Sequence, residues 1–221
     1  MGVITLSALL VAGTGFYIFS RAFPNYKPGG KKLQSDLKLL LAELDTLQVE
    51  LIPLNNKELE GFSTRQTDTS VKKRFTKTSK GVYVSIFEEP VFKYAIRTYA
   101  SKKGDAVILA KTQNRQFSYL EKAKVVQFVI DEQVLGSYDP ASGALTGARS
   151  KKVIAQLDRS RVEQDLLSIQ GREVASMNKL KSSEKGKLSQ RVFEYVINNL
   201  SAEEQAIVKA IAIYELVKLN N

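Results

Sequence analysis

The hydrophobic pattern changes its period along the chain, and each change predicts a different element. Residues 1–20, MGVITLSALLVAGTGFYIFS, carry no charge, and Arg21 follows at once. A helix of that length is about 30 Å long, the thickness of a bilayer's hydrocarbon core, so the segment predicts an N-terminal transmembrane anchor. The alternative is a buried helix or strand of a soluble domain. Residues 23–30, FPNYKPGG, then stop the run with prolines and glycines and provide a spacer. Leu33, Leu37, Leu40, Leu44, Leu47 and Leu51 follow at spacings of 4, 3, 4, 3 and 4, with Asp36, Lys38, Glu43, Asp45 and Glu50 off the line. That stripe predicts a short amphipathic helix over 33–51, closed by Pro53. Its leucines either pack on the chain's own domain or pair with a second copy through Leu33, Leu37, Leu40, Leu44 and Leu47.

From residue 81 the period becomes two. GVYVSIF, VFKYAIRTY, DAVILAKT, RQFSYLE, KVVQFVID, QVLGSYD, GALTGAR, KVIAQLD, DLLSIQ and REVASM read as short strands. Tight turn signals separate them, including Asp131-Glu132, Asp139-Pro140-Ala141-Ser142-Gly143 and Gly171. No helical period intervenes, so the strands form an antiparallel meander and not a parallel α/β sheet. Beyond Met177 a lysine-rich polar stretch leads to RVFEYVINN, where Val192, Phe193 and Val196 sit at helical spacing and predict a helix over 190–199. Ser201 with Glu204 three residues later is a capping box that opens a last helix over 202–219. That helix is apolar on nearly every side between Ala206 and Tyr214, with Lys209 its single charge there. A meander followed by a helix with no wet face is satisfied when the sheet closes around the helix. The fold expected is α+β: an N-terminal transmembrane helix, a short amphipathic helix, then a barrel of about 10–12 antiparallel strands closed around the hydrophobic C-terminal helix. The corresponding divisions are an anchor at 1–20, a linker and leucine helix at 21–75, and the barrel with its C-terminal helices at 76–221.

Charge then orients this picture. The chain of 221 residues has a formal net charge of +10 and contains neither cysteine nor histidine. Residues 21–80 hold 12 Lys and Arg against 7 Asp and Glu, while residues 81–221 hold 21 against 16, so the basic excess is densest just after the anchor. By the positive-inside bias the protein is then a single-pass membrane protein whose C-terminal domain is cytoplasmic. The run VKKRFTKTSK at 71–80 is either a solvated loop or a contact for anionic phospholipid through Lys72, Lys73, Arg74, Lys77 and Lys80.

Candidate chemistry is sparse. Without cysteine and histidine there is no thiolate, no imidazole base and no ordinary zinc site, and the sequence points to no metal, no cofactor and no catalytic residues. The acid pairs Glu88-Glu89 and Asp131-Glu132 are adjacent, so on a strand they point to opposite faces and cannot flank one bond. No nucleic-acid-binding signature accompanies the basic excess, and nucleic acid is not an expected partner.

The order of membrane segment, short aromatic-rich strands such as VFKYAIRTY and RQFSYL, and closing apolar helix resembles the tubby-like and LURP-one-related superfamily, which includes the phospholipid scramblases. That resemblance, over residues 81–219, implies a twelve-strand barrel threaded by its C-terminal helix and a basic outer surface that meets phosphoinositide head groups. It does not imply scramblase activity. The functional expectation is a membrane-anchored, non-enzymatic domain that binds anionic lipid head groups or a membrane-proximal partner; the alternative is a scaffold that self-associates through the 33–51 helix with no lipid role.

Overall fold

The computed structural model describes residues 29–54, 56–73, 76–100, 104–179 and 190–220. The anchor segment 1–20 and Arg74 lie outside the described residues. Among the described residues no helix is long and apolar enough to cross a membrane.

The element order is α1 (Gly30–Asp45), α2 (Asn56–Leu59), β1 (Phe62–Lys73), β2 (Lys77–Ser85), β3 (Pro90–Thr98), β4 (Ala106–Thr112), β5 (Gln116–Lys122), β6 (Val125–Ile130), β7 (Gln133–Asp139), β8 (Ala144–Gly147), β9 (Val153–Asp158), β10 (Gln164–Ile169), β11 (Arg172–Asn178), β12 (Phe193–Val196) and α3 (Ala202–Leu219). The strands form one 12-stranded sheet in sequence order, each antiparallel to the next. Two-residue turns with left-handed backbone join several pairs: Ala123 and Lys124, Asp131 and Glu132, and Gln170 with Gly171. Their twist matches that of the flanking strands, which is why a polar pair suffices to reverse the chain. Gly143, at φ +73, lets the β7–β8 turn pass close to β9, since a Cβ there would lie 2.1 Å from the Leu157 carbonyl oxygen.

The first and last strands meet. Ser63 bridges Arg191, the Val192 amide donates to the Phe62 carbonyl at 2.8 Å, and the Thr64 amide donates to the Gln190 carbonyl at 2.9 Å. The sheet is therefore a nearly closed barrel, which leaves little unpaired edge for another chain to join.

α3 fills the lumen. Its capping box forms as the sequence predicts, and Ile207, Val208, Ala210, Ile211, Ala212, Ile213, Leu216 and Val217 are all buried. Inward residues of the wall pack on it, and three tyrosines bind it through their hydroxyls. Tyr119 donates to the Ala210 carbonyl at 2.8 Å, Tyr83 to the Leu216 carbonyl at 2.5 Å and Tyr138 to Glu215 at 2.8 Å. Around Tyr214, the rings of Tyr119, Phe128 and Tyr138 have centroids 4.8 to 5.6 Å apart in edge or tilted contacts. Each phenol thus buries its ring and still satisfies its polar end.

Two segments differ from the sequence expectation. Residues 193–196 form β12 and not a helix. The register shifts between Ser176 and Met177, so Phe193 and Val196 both turn inward although three positions apart, while Glu194 and Tyr195 stay exposed. The bulge converts a period of two into a spacing that imitates a helix. Likewise the 71–80 run is not a loop: it lies largely in the β1–β2 hairpin, with Lys72 opposite Thr78 and Lys73 opposite Lys77. The leucine helix is shorter than its stripe, ending at Asp45, with Leu51 buried beyond it.

Candidate functional site

α1 lies across the outer wall of the barrel, on a face with several ion pairs. Leu40 and Leu44, both fully buried, sit on Ala95, Tyr99, Val107 and Leu109, with Leu33, Leu37 and Leu47 packed around them. The five candidate self-association residues therefore face the chain's own β3–β4 wall.

Polar contacts fix the helix at both ends. Asp36, with no exposed surface, accepts from Arg97 at 2.5 Å, Tyr99 at 2.6 Å and Lys32 at 3.0 Å. Toward the C-terminus, Lys93 donates to the Leu44 carbonyl in the last turn and to the Leu47 carbonyl just beyond it, which also accept the Leu47 and Val49 amides. Glu43 receives Lys72 at 2.9 Å and Lys80 at 3.0 Å, and these two cations hold its carboxyl below the usual glutamate value.

The five candidate lipid contacts are thus not one patch. Lys72 and Lys80 share the outer face, where both engage Glu43. Lys72 remains exposed, whereas the Lys80 side chain is only 15% exposed. Lys77 precedes the outward Thr78 and so belongs to the opposite face of the strand. Lys73 pairs with it in register. Sequence reading missed Lys93, Arg97 and Asp36, although the alternation in VFKYAIRTY already puts Lys93 and Arg97 together on one face.

Every second hairpin of the meander returns at the same barrel end. The β1–β2 tip, the β5–β6 turn and the β9–β10 connection accordingly share one end, and α1 begins there, because Asp36 near its start bonds Arg97 and Tyr99 at the end of β3. At this end three exposed valines each neighbour an exposed cation: Val71 with Lys72, Val125 with Lys124, and Val162 with Arg161. Val162 is 91% exposed.

A polar cluster closes the lumen at the same end. Arg159 donates to Glu215 of α3 at 2.6 Å and to the Tyr138 hydroxyl at 3.2 Å, and it also contacts the Pro140 carbonyl. Asp165 lies behind it, paired with Lys179. Burial pushes the Glu215 carboxyl above the ordinary glutamate value, although Arg159 and Tyr138 pull it down. A raised folded value means stability that is present in acid and lost as Glu215 ionises. The stability of the wild type relative to Glu215→Gln is therefore expected to be greater near pH 4 than near pH 7, read by urea denaturation at both. A flat or reversed difference would exclude this ionisation linkage.

Among the described residues no group of acids could hold a metal ion. The pairs Glu88-Glu89 and Asp131-Glu132 lie in or beside turns, where Glu88 meets Arg65 and Asp131 meets Arg115. Comparisons with protein-family models, curated proteins and solved structures found no match.

Proposed function

We propose that the chain is a membrane-tethered, non-enzymatic barrel whose α1 end meets anionic lipid head groups. The observation that carries this reading is convergence: the start of α1, which follows the apolar segment 1–20, shares one barrel end with the valine–cation pairs at Lys72, Lys124 and Arg161. A cation beside a short apolar side chain suits the interface, where the charge stays with phosphate and the methyl groups enter the acyl boundary. Lys77, on the other face of the β1–β2 tip, and Lys122 lie at the same barrel end. The head-group contact is therefore carried by hairpin tips, with Lys80 left to hold α1.

Kinship with the tubby-like and LURP-one-related barrels belongs to this proposal. Strand number and an enclosed C-terminal helix favour it, while the absence of any transferable site motif leaves the ligand to be decided by the charges of this chain.

A fragment starting at residue 29 retains every core residue found among the described residues. It is expected to sediment with phosphatidylserine-rich vesicles in low salt and to stay in solution with phosphatidylcholine alone. Each basic residue near an anionic leaflet contributes at most about 1 kcal/mol, so changing Lys72, Lys77, Lys124 and Arg161 together to Gln should weaken binding by roughly tenfold to a hundredfold. Absence of binding to the anionic vesicles would remove the proposal.

A further inference from the structure

At the opposite end of the barrel, α3 enters the lumen past a cleft whose charges are unevenly matched. Lys209 is the one cation in the apolar middle of α3, and it is half-buried. Its amino group donates to the Leu54 carbonyl and, among the described residues, forms no ion pair. Arg115 stands close enough to repel it, and that repulsion adds to burial in holding the Lys209 amine below its ordinary value; Glu58 acts weakly in the other direction. Arg115 itself has only a long contact of 3.4 Å to Asp131. Between the two cations is a cavity of about 400 Å3, further lined by Thr112, Asn114 and Gln205. A half-buried ammonium facing a guanidinium, with a carbonyl as its one partner among the described residues, is incompletely compensated.

The cavity continues outward. Arg115 and Asp131 also border a second cleft of about 900 Å3, where Ile130, Val134, Leu135 and Ile154 are interspersed with polar groups that include Arg149 and Glu203. Val134 is 48% exposed, so this flank is open to solvent. Converging polar groups at one end and a discontinuous apolar lining beyond them suit a molecule with a charged head and an apolar chain.

We propose that this cleft binds a small carboxylate amphiphile of the medium-chain fatty-acid class, with its head between Lys209 and Arg115 and its chain along Ile130, Leu135 and Ile154. The head is a monoanion because Asp131 already offsets part of the Arg115 charge, which leaves room for one negative charge and not two. Arg115 can turn from its long Asp131 contact to present its planar fork, and Lys209 adds a point charge. The site is independent of the lipid contact proposed above, since it lies at the other barrel end and uses none of the same residues.

The test is titration of the full chain, held in zwitterionic nanodiscs and labelled at isoleucine and alanine methyls, with octanoate. Saturable shifts are expected at Ala206, Ile130 and Ile154. Octanol and acetate should each bind at least tenfold more weakly than octanoate, and Lys209→Met should weaken octanoate at least tenfold. Lys209→Met removes a half-buried charge and is expected to fold; Arg115→Gln, exposed and on a turn, gives the same reading if it does not. No saturable shift, equal binding of octanol, equal binding of acetate, or unchanged octanoate affinity in a folded variant would each overturn the proposal.

Discussion

Ile211→Lys is expected to abolish the folded state. Ile211 has no exposed surface, and it sits in the stretch of α3 that the barrel encloses on all sides. Losing the burial of one isoleucine costs about 2 to 3 kcal/mol. The larger effect is the ammonium, which would enter an apolar lumen where the carboxylate one turn on, Glu215, is already taken by Tyr138 and Arg159; an ion without a free partner there costs several kcal/mol more. Together these approach or exceed the roughly 5 to 15 kcal/mol of net stability typical of a domain. Ile211→Val, by contrast, removes one methylene and should cost about 1 kcal/mol. Circular dichroism and trypsin resistance decide the matter: a cooperative thermal transition in Ile211→Lys would mean that α3 is not the core of the barrel. Deleting everything after Asn199 should have the same outcome, because the inward faces of β2 to β11 would then line an empty lumen.

The enclosed helix was legible because a helix apolar on every side must be surrounded, and the alternating runs from residue 81 to 177 named what surrounds it. Those runs correspond to β2 through β11. The strands that escaped were β1 and β12, the two whose meeting closes the wall. β1, FSTRQTDTSVKK, carries few apolar residues because its far half is exposed on both faces, so its strand character comes from pairing with β2 and not from its own pattern. β12 was hidden by the bulge that sets Phe193 and Val196 three apart. The charged surface was less legible still. A run of five cations in sequence looks like one patch, but a hairpin deals successive residues to opposite faces and its neighbours recruit some of them: Glu43 takes Lys72 and Lys80. Pairings such as Asp36 with Arg97, 61 residues apart, leave no trace in local spacing.

Asp36→Ala is expected to release α1 from the wall while the barrel stays folded. The substitution leaves the Arg97 guanidinium, whose side chain is 16% exposed, without its carboxylate, and it leaves the Tyr99 hydroxyl without its acceptor. Breaking one side of such a buried pair costs about 3 to 5 kcal/mol, because the remaining charge stays desolvated. That cost falls on the docking of α1, which packs on β3 and β4 and reaches β1 and β2 through Lys72 and Lys80, and not on the α3 core. Hydrogen exchange should therefore show lost protection from Leu33 to Leu44 with protection retained in β5 to β11. Asp36→Leu combined with Arg97→Met removes both charges at once and should recover most of the loss, which separates an electrostatic pin from a merely crowded site. Release has a second consequence. Leu33, Leu37, Leu40, Leu44 and Leu47 would lose their partner and present an uncovered coiled-coil seam, so a fragment from residue 29 carrying Asp36→Ala should dimerise in sedimentation where the wild type does not. If the variant keeps its exchange protection in α1, the helix is held by its leucines and by the Lys93 and Glu43 contacts, and the acid contributes nothing to docking.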